Sequence, residues 1–128
     1  MMPLARTLGI RTDELTPERV VLALDWAPEL CTAGGILHGG VIMALADSAG
    51  GACALLNLPA EGSATTTIES KTNFLGAVRG GKVTATSTPL HRGRTTIVVE
   101  TSVHDAAGKL VAKVTQTQMV IRATPSIS

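Results

Sequence analysis

From Val41 to Leu56 the side chains are almost all aliphatic or small, and Asp47 is the one charged group among them. The run is too long for one strand, and its continuous apolar character predicts a buried helix from His38 to Asn57. Leu58-Pro59-Ala60-Glu61-Gly62 ends it. A membrane span needs about 20 apolar residues without a central charge, so this is expected to be a core helix. An unpaired carboxylate in an apolar interior costs roughly several kcal/mol, so Asp47 is expected to have a partner or a chemical task. Gly50-Gly51 sit mid-helix, where each glycine costs about 0.5–1 kcal/mol relative to alanine. With Ala44, Ala46, Ala49 and Ala52 they imply either close packing of another element or a narrow channel for a ligand.

Strand periodicity surrounds this segment. Val20, Leu22 and Leu24 alternate with Val21 and Ala23 between Arg19 and Asp25, and Pro28 and Gly34-Gly35 then break the pattern. After Gly62, four β-rich stretches follow: Thr65 to Phe74, Lys82 to Leu90, Arg94 to His104 and Leu110 to Ile121. Gly80-Gly81 separates the first two, and Asp105-Ala106-Ala107-Gly108 makes the last two a hairpin. One strand, one long apolar helix and four strands predict an α+β chain, an antiparallel sheet wrapped around the helix. Its 128 residues suit one domain, 1–128, with the core at about 18–122 and the termini peripheral.

Composition excludes several functions. The net charge is +1, with neither a basic stretch nor interleaved aromatics, so no nucleic-acid partner is expected. Cys31 and Cys53 share no metal-like or redox spacing, and reduced thiols in a cytoplasmic protein are the simpler expectation. The first residues lack a basic flank leading into an apolar run, so no signal peptide is expected, and the short apolar run with its central Asp47 predicts no membrane partner. His38, His91 and His104 are not spaced as ligands, and no metal site is predicted.

The front of the helix carries the chemistry. Gly39 and Gly40 would present backbone N–H groups without intrahelical acceptors at the positive end of the helix dipole, where a developing oxyanion can be held. Gly39 and Asp47 are eight residues apart, about 12 Å along a helix axis at 1.5 Å per residue. A reacting carbonyl must lie about 3 Å from both groups, so one copy of the helix cannot complete the site. Two antiparallel copies can, which predicts a homodimer.

The run Leu37-His38-Gly39-Gly40-Val41-Ile42-Met43-Ala44-Leu45-Ala46-Asp47-Ser48, the Thr65-to-Phe74 strand and Pro89-Leu90-His91-Arg92-Gly93-Arg94 resemble hotdog-fold acyl-CoA thioesterases of the phenylacetate-degradation and 4-hydroxybenzoyl-CoA type. The resemblance covers roughly Val20 to Ile121. It implies hydrolysis of an acyl-CoA to a carboxylic acid and coenzyme A without a cofactor. It also implies a homodimer, often paired into a tetramer.

By the same resemblance the Gly39 amide polarises the carbonyl, and Asp47 of the opposing subunit acts as nucleophile or general base. Thr67, with Thr65 and Thr66 as near alternatives, places water. Thr32 stands where many relatives have Asn or Gln, which favours, as an alternative, a non-catalytic acyl-CoA-binding module. A dehydratase on the same fold would need a histidine beside the carboxylate, but His38 precedes the helix and no other histidine lies near Asp47 in sequence.

Other candidates carry two readings each. His38 is a general base or, just before the glycines, a cap and loop support. Gly40 offers a second amide, and Ser48 either faces substrate or bonds within the helix. Arg92-Gly93-Arg94 is a clamp for coenzyme A phosphates or a solvated turn. Ala49, Ala52 and Cys53 are expected around the pocket floor.

Overall fold

Threonine and β-branched residues dominate the second half of the chain, and there the backbone is extended. The computed structural model describes residues 2–122. Strands β1 (Arg11–Leu15), β2 (Val20–Asp25), β3 (Gly62–Phe74), β4 (Lys82–Arg92), β5 (Thr96–His104) and β6 (Leu110–Arg122) form one antiparallel sheet in the order β1-β2-β4-β5-β6-β3. Helix α2 (Gly39–Leu56) lies across one face of it. This is the wrapped helix of the hotdog fold.

Alternation decides which side chains meet the helix. Ile97, Val99, Thr101 and Val103 of β5 are buried, and so are Val114, Gln116, Gln118 and Val120 of β6. Ile42, Leu45, Ala46, Ala49 and Cys53 of α2 close the core against them. Ser87 and Thr101, partners across β4 and β5, satisfy each other inside it through a 2.6 Å hydroxyl pair. The small residues of the helix let it sit close to the sheet, as their composition requires.

The segment before residue 18 is more than periphery. Helix α1 (Pro3–Leu8) and β1 add a sixth strand and bury Ala5 and Ile10. Arg11, Thr12, Asp13 and Glu14 mask β1 in the sequence, because an edge strand with few buried positions shows no apolar alternation.

Strand β3 is the opposite edge, with no strand beyond it among the described residues. Its ladder to β6 shifts between Thr67 and Glu69, leaving Ile68 as an extra residue. Such a bulge re-aims neighbouring side chains.

Candidate active site

The loop entering α2 is pinned by backbone bonds from the Leu37 N–H to the Val78 carbonyl at 2.8 Å and from the His38 N–H to the Leu30 carbonyl at 2.9 Å. His38 then caps the helix with extended backbone, φ −62° and ψ 134°, and its Nδ1 accepts the Gly40 N–H at 2.8 Å. The His38 carbonyl accepts the N–H groups of Val41 and Ile42 at 2.9 and 3.3 Å. Three of the four N–H groups that a helix start leaves open are thereby used. Among the described residues only Gly39 keeps a free donor there.

This divides the glycine pair. Gly40 does not offer a second amide; it makes room for the cap, since a Cβ there would stand 2.9 Å from His38 Nδ1. Of the two readings of His38, the cap is the one the geometry displays.

Asp47 is exposed rather than enclosed in this chain. Gly40, Met43 and Asp47 follow one another at helical spacing on the face turned away from the sheet, whereas Leu45, Ala46 and Ala49 face it. An apolar run hides this division, because both faces of the helix are written in small and aliphatic residues. The carboxylate has a partner nevertheless: Gln116 Nε2 donates to Asp47 Oδ1 at 2.6 Å.

A cavity of about 630 Å³ opens beside Asp47. Ser48, Gly51, Ala52 and Leu55 of α2 form one wall, Thr65, Thr66 and Thr67 of β3 another, and Ile10 and Leu15 of the N-terminal segment a third. Thr67 Oγ1 accepts from Gln118 Nε2 at 2.6 Å. Ser48 bonds within the helix, donating to the Ala44 carbonyl at 2.8 Å, although it borders the cavity.

The mid-helix glycines separate in the same way. Gly50 is a packing glycine, because a Cβ there would stand 2.0 Å from Gln116 Oε1. Gly51 borders the cavity and an added Cβ would meet nothing within 4 Å. Ala52 borders the cavity as expected, but Ala49 and Cys53 are fully buried and do not, because they sit on the sheet side of the helix.

Other candidates lie outside this cluster. Thr32 is exposed in the loop before α2, its N–H bonded to the Ile36 carbonyl, and it does not border the cavity. Arg92 and Arg94 are exposed at the β4–β5 turn, away from the cavity lining. Gly93 shapes that turn: its N–H bonds the Thr96 carbonyl at 2.8 Å, and a Cβ would stand 2.7 Å from that same oxygen. The buried Cys53 thiol is pushed up by desolvation, with the Arg92 charge and an Asn57 hydrogen bond opposing the shift.

Gln116 and Gln118 escape a motif search, yet the sequence signals them. They occupy alternate positions between Val114 and Val120, so strand periodicity places two amides on a core-facing row. A polar residue in such a row must find a partner, and here the partners are Asp47 and Thr67.

Residues 34–112 match the thioesterase superfamily. The solved Mycobacterium tuberculosis protein Rv1847/MT1895 superposes with a TM-score of 0.92 at 30% identity, over 97% of this chain and 100% of that one. The Haemophilus influenzae thioesterase HI1161 gives a TM-score of 0.87 at 28% identity, over 93% and 82% of the two chains. The Listeria monocytogenes 1,4-dihydroxy-2-naphthoyl-CoA hydrolase is 30% identical over 110 residues, 86% of this chain and 89% of that protein.

Proposed function

Since this chain belongs to the thioesterase superfamily, and is thus a thioester hydrolase of hotdog fold, we propose that its substrate is an acyl-CoA. The products are a carboxylic acid and free coenzyme A, and no cofactor takes part. The observation that carries this reading is a carboxylate, Asp47, beside a largely apolar cavity that can hold an acyl group.

In this reading Asp47 deprotonates a water that attacks the thioester carbonyl, or attacks it directly and is released by water. The C–S bond breaks, and the coenzyme A sulfur leaves with a proton. Thr67 places the water. The negative charge that builds on the carbonyl oxygen is met by the free Gly39 N–H at the positive end of α2.

That donor comes from a second copy of the chain. Gly39 and Asp47 lie eight residues apart on one helix, about 12 Å at 1.5 Å per residue. Two features support an antiparallel homodimer. Met43 and Leu55, 45% and 51% exposed, put apolar surface on α2 to either side of Asp47. The thirteen-residue β3 presents an edge unpaired among the described residues, which a second β3 can join. The Arg92–Arg94 turn, remote from the cavity of its own chain, is then free to meet the coenzyme A phosphates from the surface, and two dimers pair into a tetramer.

The motif around His38, the strand at Thr65 and the arginine turn support the phenylacetate-degradation and 4-hydroxybenzoyl-CoA type within the superfamily. The similarity to a naphthoyl-CoA hydrolase supports an aryl acyl group, naphthoyl included, with a medium-length chain as the alternative. Release of free thiol from a panel of acyl-CoAs tests this. Asp47→Asn is expected to lower kcat by about 10²- to 10⁴-fold with unchanged thermal unfolding. Full turnover by that variant refutes the assignment.

A further inference from the structure

Gln116 and Gln118 stand two residues apart on the inner row of β6, 1% and 2% exposed. Each donates one Nε2 hydrogen at 2.6 Å, the first to Asp47 and the second to Thr67. We infer that these two glutamines are positioning residues for the hydrolytic reaction, aiming the carboxylate and the hydroxyl that act on substrate; the inference rests on the acyl-CoA reading above.

Stability does not account for Gln116. A buried amide can make several hydrogen bonds, and leaving any of them unmade is unfavourable. Its Oε1 has no partner among the described residues. An aliphatic side chain would fill the same space without an orphaned oxygen. The helix also yields to this side chain, because Gly50 stands where any Cβ would come within 2.0 Å of Oε1. A helix-weakening glycine and an unsatisfied carbonyl therefore converge on one product, the hydrogen bond to Asp47.

The polarity of both bonds matters for the chemistry. With Oδ1 engaged by Gln116, the second oxygen of Asp47 remains available to take a proton or attack. With Thr67 Oγ1 accepting from Gln118, the hydroxyl hydrogen must point elsewhere, and the cavity borders that residue. Asp47 is set as an acceptor and Thr67 as a donor, the complementary pair that fixes the orientation of one water. The bulge at Ile68 follows immediately after Thr67 and adds local twist to β3 there.

Gln116→Met and Gln118→Met keep the chain length of the side chain and delete the donor. Each is expected to lower kcat by about 10- to 100-fold, the loss that follows a small misplacement of a reacting group, with KM within about twofold. Gly50→Ala, which pushes Oε1 aside, should reproduce the Gln116→Met loss. The Gly50→Ala/Gln116→Met double variant should be no worse than Gln116→Met alone, because both substitutions act through the same carboxylate. A purely structural role would lower the unfolding temperature and the active fraction while leaving kcat per folded molecule intact, and that result overturns the inference.

A readout independent of turnover separates this from the acyl-CoA assignment. In nuclear magnetic resonance spectra of the whole protein, Asp47→Asn should shift the Gln116 side-chain amide and Thr67→Val the Gln118 amide. Failure of both responses overturns the positioning, whatever the substrate. Loss of thiol release by the wild-type protein alone, with both responses present, refutes the acyl-CoA assignment and upholds the pairings.

Discussion

Replacing Gly39 by proline deletes one atom group that the proposed mechanism needs and little else. Gly39 is the first residue of α2, where proline is favoured because its fixed φ suits the helix and its missing N–H has no intrahelical role. His38 already has φ −62° and ψ 134°, an extended conformation that a following proline tolerates. No hydrogen bond of the chain is lost, since the Gly39 N–H has no acceptor among the described residues. A compatible proline stabilises by about 0.4–1 kcal/mol through the unfolded chain. Contact of the new Cβ with the half-exposed Phe74 ring, 3.1 Å away, offsets part of that gain. The expected stability change is therefore within about 1 kcal/mol of zero.

Catalysis should respond far more strongly to the same substitution. Losing one oxyanion donor costs about 10²- to 10³-fold in kcat, roughly 2.7–4 kcal/mol. Gly39→Ala is the control, because it makes the same Cβ contact and keeps the N–H. Thiol release and thermal unfolding are measured on both. If Gly39→Ala loses as much as Gly39→Pro, crowding by Phe74 is responsible and the oxyanion argument fails. If Gly39→Pro keeps its kcat, the amide has no part in the reaction. Refolding Gly39→Pro together with Asp47→Asn extends the test to the proposed dimer. Half of the dimers are then mixed, each with one intact site, so roughly a quarter of wild-type activity should return. No recovery would refute a site shared between copies.

Adjacent glycines should behave oppositely. Gly51→Ala is expected to stabilise by about 0.5–1 kcal/mol, whereas Gly50→Ala should destabilise by about 1–3 kcal/mol through the clash with Gln116; urea unfolding distinguishes them. His38→Ala removes the helix cap and should cost about 0.5–2 kcal/mol, read as a lower unfolding temperature. Cys31 should alkylate with iodoacetamide well before the buried Cys53 in the native protein, followed by mass spectrometry. The folded Cys53 thiol titrates above its ordinary 9.0, so its contribution to stability is full below that pH and is lost as the pH rises through the folded value. Cys53→Ala should flatten this alkaline decline in unfolding temperature.

Helix α2 was legible because eighteen residues of continuous apolar character allow little else, and strands β2 to β6 because alternation and glycine-bearing turns bound them. The α1–β1 segment was not, because its burial depends on Ala5 and Ile10 docking against a core formed by distant residues. Gly39 and Asp47 were legible as a spacing. Which glycine keeps a free amide was not, since that depended on the rotamer of His38 and its bond to the Gly40 N–H.

The sequence by itself determined the helix, the strand rows and the arithmetic that separates Gly39 from Asp47, all of them consequences of local period and rise per residue. Only the tertiary structure decided that Asp47 faces outward onto a cavity, and that Gln116 and Gln118 hold Asp47 and Thr67. Those bonds join residues 69 and 51 positions apart. A sequence period marks the face on which such side chains lie, but their partners are chosen by how the helix is laid across the sheet.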